Sequence, residues 1–186
     1  EKNGNDANDG KSESRPIKTI SKLKTITLRS GDAVLFERGG IYRGQITVSG
    51  GVVYGSYGSG DKPLIMQSKK NYGGDPSLWV ETEYPNVYKC TEKLQNVGII
   101  GFDHDLFDYS EDSYYELYGK IMNLDTFNFT GPADLNEDLQ FYSDITAGLM
   151  TVGDLYLYST EGNPGERFDS IEIGERINIF VAGNPN

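Results

Sequence analysis

Between residues 31 and 65 the chain reads GDAVLFERGGIYRGQITVSGGVVYGSYGSGDKPLI, and no other stretch limits the fold as tightly. Four β-prone runs follow one another: AVLF, QITV, GVVYGSY and PLIM, the last ending at Met66. Each is closed by Gly, Ser, Asp or Pro and is too short for a helix, so each reads as a strand of a few residues. No Asn-Gly or Asp-Gly pair separates them, so tight hairpins are not signalled. The expectation is a chain that keeps turning in one sense and stacks its coils in parallel.

The 186 residues suit one domain, or one domain with an insertion. With 13 Tyr, 8 Phe, a single Trp and 23 Gly, the composition suits turn-rich β structure in which Tyr covers a pleated surface and keeps its hydroxyl wet. The net charge of -11 repels phosphate backbones, which argues against nucleic acid as a partner. It does not steer polyanionic polysaccharide either, unless a local basic groove overrides it. Acids in glycine-rich loops instead offer the hard oxygens that Ca²⁺ takes. Cys90 is the one cysteine, so no internal disulfide forms; this fits a cytosolic protein and equally a secreted bacterial one. No apolar run approaches the ~18 residues of a membrane span. The opening EKNGND lacks a signal-peptide pattern and reads as the start of a processed or cloned fragment and not as a native start.

Residues 1–16 are polar and read as a solvated loop. Asn5, Asp6, Asn8 and Asp9 have calcium-ligand chemistry, but their spacing misses the EF-hand pattern. Residues 17–26 place Ile17, Ile20 and Leu23 at a helical step, which predicts a short amphipathic helix with Lys18, Lys22 and Lys24 toward water. Such a helix is suited to capping the open end of a stack of strands.

These motifs resemble a known family. NGNDANDGKSESRPIKTISKL, SGDAVLFERGGIYRGQITVSGG and YGSYGSGDKPLI are similar to the N-terminal part of right-handed parallel β-helix proteins of the pectate-lyase-like superfamily. FYSD and LYLYSTEGNP resemble the family's hairpin before its regular coils, FDSIEIGERINIF resembles the first of those coils, and the likeness is thin between residues 69 and 139. The resemblance implies an all-β fold, a right-handed parallel β-helix with a short N-terminal capping helix and an inserted irregular or antiparallel β segment. Residues 1–68 would be the cap and first coils, 69–169 a loop-rich insertion ending in a β-hairpin, and 170–186 the start of regular coils that continue beyond the chain.

The function it implies is that of the N-terminal part of a secreted, carbohydrate-active protein, extracellular or at the cell surface, acting on a polysaccharide or oligosaccharide. A polysaccharide lyase would need a base and a Ca²⁺ to neutralise a uronate; a glycoside hydrolase would need two carboxylates across the sugar. A non-catalytic, adhesin-like glycan binder is the alternative. The catalytic groups would lie on later coils, so the present chain is expected to be inactive. Within it, Glu172 and Glu175 are the candidate catalytic acids. Trp79, Tyr84 and Tyr88 are candidate sugar-stacking rings, although filling the seam between this segment and the stacked strands is the favoured reading of Trp79. Asp103 and Asp105 share a strand face as candidate ligands for a hard cation, with His104 pointing away. Residues 113–129 fit strand or helix, whereas 139–142 and 155–159 alternate as paired strands would.

Overall fold

A computed structural model describes residues 3–103, 129–144, 146–148 and 151–175. The chain divides into two compact units, Glu1–Lys69 and Lys70–Asn186.

In the first unit the polar loop is a scaffold. The Asp6 carboxylate accepts from Lys18 N (2.8 Å), Thr19 N (2.9 Å) and the Thr19 hydroxyl (2.8 Å). Asn8 Nδ2 donates to the Pro16 carbonyl (2.8 Å), so this loop is spent on its own closure. Thr19, fixed by Asp6, then caps the single turn α1 (Ile20–Leu23) by accepting from Lys22 N. The predicted helix over residues 17–26 is thus shortened to one turn whose buried residue is Ile20.

Four strands follow: β1 (Ala33–Glu37), β2 (Ile41–Arg43), β3 (Val53–Tyr57) and β4 (Leu64–Met66). β1 pairs in parallel with β3, Val34 opposite Tyr54, and β2 pairs in parallel with β4, Tyr42 opposite Ile65. Inward residues Val34, Phe36 and Tyr42 join Ile20 in a small core. The Phe36 and Tyr42 rings meet edge to face at 4.9 Å, a favoured quadrupole geometry. Arg38 Nη1 donates to the Gly60 carbonyl (3.1 Å) at a corner, and Arg43 reaches the Ser68 hydroxyl (2.7 Å).

The second unit is antiparallel. β5 (Trp79–Glu81), β6 (Val87–Cys90), β11 (Leu155–Tyr158) and β9 (Phe141–Ser143) form a four-stranded sheet in that spatial order. β7 (Leu94–Gln95) pairs with β10 (Val152–Gly153), and β8 (Val97–Phe102) pairs with β12 (Ile171–Glu175). A second single turn, α2 (Pro164–Arg167), is capped by Asn163, whose Oδ1 accepts from Gly165 N. The core gathers Trp79, Cys90, Ile100, Phe141, Leu155, Leu157, Ile171 and Ile173, all buried.

The expected right-handed parallel β-helix is therefore not found. Among the described residues, parallel pairing is confined to two two-stranded pairs, and every strand pair from Trp79 onward is antiparallel. Regular coils were expected over residues 170–186; the described part of that stretch is β12, antiparallel to β8 with an irregular register at Gly174/Glu175, and residues 176–186 lie outside the described residues. The physical reason lies in the connections. Between β5 and β6 the chain reverses within residues 82–86, where Asn86 adopts φ 61° and the Thr82 hydroxyl donates to the Val87 carbonyl (2.8 Å). Alternating Ile171 and Ile173 bury one strand face in either pairing direction, so their pattern does not distinguish a coil from a ladder. Among the described residues, no helix is long and apolar enough to cross a membrane.

Candidate functional site

Trp79, Tyr84 and Tyr88 do not form one surface. Trp79 is 2% exposed, and its Nε1 donates to the Tyr72 carbonyl (2.8 Å), so it fills the core. Tyr88 lies on the same sheet face and packs against that core. Its burial, with Glu81 and Glu166 nearby, raises its phenol pKa. Only Tyr84 belongs to the opposite side, packed beside Val87, Leu135 and Tyr142.

That opposite side is the candidate site. Registers across the four strands place Val80, Lys89, Tyr156 and Tyr142 in one row. Strand alternation puts this row on the face away from the row Glu81, Tyr88, Leu157 and Phe141. The Tyr142 and Tyr156 ring centroids stand 6.1 Å apart with planes 34° from parallel. Tyr158, opposite Val87, extends the face by one more ring and accepts from Asn86 Nδ2 (3.3 Å). Tyr142 is 8% exposed and serves as backing, whereas Tyr84, Tyr156 and Tyr158 are half-buried and Val80 is 50% exposed. A face of tyrosines half open to solvent offers flat apolar area together with hydroxyls that exchange hydrogen bonds.

The electrostatics of this face follow from the strand ends. Asp144 comes two residues after Tyr142 and Asp154 two before Tyr156, so alternation returns both to the tyrosine side. Asp144 N donates to the Asp154 carbonyl (2.8 Å), which sets the two residues opposite each other. Burial and then these carboxylates raise the phenol pKa of Tyr156; for Tyr142 the causes are burial, Asp144 and Asp134. The Asp144 carboxyl is itself held below its ordinary value by the N–H and hydroxyl of Thr146. Asp154 meets Lys93 at 2.7 Å.

The candidate catalytic acids are not paired into a site. Glu175 is 3% exposed, and its Oε2 accepts from Gln95 N (2.6 Å), a structural use of the carboxylate. Glu172 is half-buried and accepts from the Ser170 hydroxyl (3.3 Å). Asp103 sits at φ 52° and exchanges two hydrogen bonds with Ser170: its N–H donates to the Ser170 carbonyl and its Oδ1 accepts from Ser170 N. It is a turn residue locking β8 to β12. Asp105 and His104 lie outside the described residues. Among the described residues, no three His, Cys, Asp or Glu side chains are grouped to hold a metal ion.

The chain matches no family model, no curated protein and no solved structure. The tyrosine face therefore stands on its own geometry. Tyr142, Tyr156, Asp144 and Asp154 were not among the candidates expected from the sequence. The signal for them was present in LYLYST, where leucines at alternate positions turn Tyr156 and Tyr158 to the other side.

Proposed function

We propose that this protein binds carbohydrate, without turning it over, on the tyrosine face of its four-stranded sheet. The observation that supports this reading is the row Lys89–Tyr156–Tyr142, with Tyr158 beside it, on the side of the sheet away from the main core. The apolar C–H face of a pyranose packs on a flat ring, and the phenol hydroxyls and Lys89 supply donors for sugar oxygens. Binding in an extracellular or cell-surface setting belongs to the same proposal. Catalysis is not part of it, since Glu175 is spent on a backbone N–H in the interior.

The test is calorimetric titration of the protein with neutral β- and α-linked hexasaccharides, followed by the same titration of Tyr156→Ala. Binding that weakens about tenfold or more in the variant, as removal of one stacking ring implies, supports the reading. A wild-type protein silent toward all hexasaccharides at millimolar concentration, or an unaffected Tyr156→Ala, overturns it.

A further inference from the structure

The polar arm before β1 carries the chain's only Asn-Gly pair, Asn3–Gly4, and its only Asp-Gly pair, Asp9–Gly10. In such pairs the glycine nitrogen can reach the carbonyl carbon of the preceding side chain, and no Cβ shields it. The fold treats the two pairs differently. Gly10 N donates to the Arg15 carbonyl (3.1 Å), and Asp9 is engaged as well, its Oδ1 accepting from Lys11 N (3.2 Å) and its Oδ2 lying 3.9 Å from Arg15 Nη1. Among the described residues, Gly4 N has no hydrogen-bond partner. Asn3 is exposed, and its carboxamide is held through Nδ2, which donates to Glu37 Oε1 (3.2 Å) at the end of β1. Packing also fixes the glycine: a Cβ at Gly4 would stand 2.6 Å from the Ile17 carbonyl oxygen and 2.7 Å from Lys18 Cα. The fold thus requires at this position the residue that leaves the amide open to reaction.

We propose that Asn3–Gly4 is a self-modification site, at which loss of ammonia turns an anchor of the arm into a repulsive charge. Hydroxide removes the Gly4 N–H proton, and the nitrogen attacks Cγ of Asn3. The N–Cγ bond forms as the Cγ–NH2 bond breaks, and the amide nitrogen leaves as ammonia after taking a proton from water. Water then opens the five-membered imide at Cγ, giving aspartate, or at the backbone carbonyl, giving isoaspartate. The carboxamide that donated to Glu37 is replaced by a carboxylate that only accepts, and a like charge faces it. Glu13 stands on the same side, since it and Glu37 both act on the Tyr57 phenol. Further along, Asn5 N still donates to the Pro16 carbonyl (3.0 Å) and Asp6 still holds Lys18 N and Thr19 N, so the change frees the start of the arm and not the whole cap.

The full chain is held in mildly alkaline and in mildly acidic buffer, and its peptides are mapped by mass over time. The peptide containing Asn3 is expected to gain the mass difference between NH2 and OH before any other, faster in the alkaline sample, with part of the product as isoaspartate. Asn3→Gln, whose side-chain carbonyl lies one methylene further off, is expected to stay unmodified at that position. In Asn3→Asp, deuterium exchange at the Asn5 amide is expected to quicken about threefold, as loss of an exposed contact to a charged group implies. No mass gain at Asn3, an earlier gain at another asparagine, or a rate that does not rise with pH overturns the assignment of the site. An Asn5 amide that exchanges at the same rate in Asn3→Asp overturns the release of the arm.

Discussion

The units Glu1–Lys69 and Lys70–Asn186 are made from the same raw material, short alternating apolar runs, and they use it in opposite ways. The first pairs its strands in parallel and buries Ile20, Val34, Phe36 and Tyr42. The second pairs antiparallel and buries Tyr72, Trp79, Cys90 and nine more residues in one cluster. Strand direction here is set by what lies between the runs. Around β2 the chain travels through a whole further strand and two corners before β3 comes alongside β1. Between β5 and β6 it reverses within residues 82–86. Parallel pairs normally sit in larger sheets with both faces covered, and the first unit leaves Leu35, Val53 and Ile65 about half exposed or more.

Replacing Leu157, fully buried at the centre of the antiparallel core, by Ala is expected to have the largest effect, about 3–4 kcal/mol of unfolding free energy in a urea titration. Phe36→Ala removes a ring of the smaller core and its edge contact with Tyr42; about 2–3 kcal/mol is expected, because a thin core at 7% exposure collapses or hydrates more readily. If Phe36→Ala proves as damaging as Leu157→Ala, the contrast between the two cores fails.

Asp138 and Arg167 tie the loop before β9 to α2 through two hydrogen bonds of 2.8 and 2.7 Å. The guanidinium holds the Asp138 carboxyl down at about 2, below its ordinary 3.8. A depressed carboxylate contributes stability that is fully present above its unfolded value and lost as pH falls through the folded one. Asp138→Asn should therefore destabilise by on the order of 1 kcal/mol at pH 6, after discounting for a partly exposed pair, and by almost nothing near pH 2. Thermal melts of both proteins across that pH range check it, and a difference that persists at pH 2 assigns the effect to shape and not to charge. The smallest effect is expected at Leu35→Ala, below about 0.5 kcal/mol, because that side chain is 51% exposed on the outer face of β1.

Much of the local structure is legible in the residues. The strands at 33–37, 97–102 and 155–158 follow the alternation or the apolar runs, and Thr19 and Asn163 have the side chains that cap turns. What alternation cannot carry is the direction of the partner strand. A run such as Ile171–Glu175 buries the same side chains against a parallel or an antiparallel neighbour, and its neighbour β8 lies some seventy residues away in the chain. The site was hidden for a related reason. Tyr84 and Tyr88, close in sequence, end on opposite faces, whereas Tyr142 and Tyr156 meet only once β9 and β11 are in register. Asp144 and Asp154 acquire their opposition from the same register.

Trp79 and Cys90 face each other across β5 and β6 at the edge of the four-stranded sheet, the one indole and the one thiol of the chain. At 1% exposure, and with burial raising its pKa, the thiol is shielded from alkylation while that ladder is closed. A thiol reagent and the tryptophan emission therefore time the same event by independent chemistry: the peeling of one strand pair. Titrating ligand onto the far face slows that clock only where the bound state includes the closed sheet.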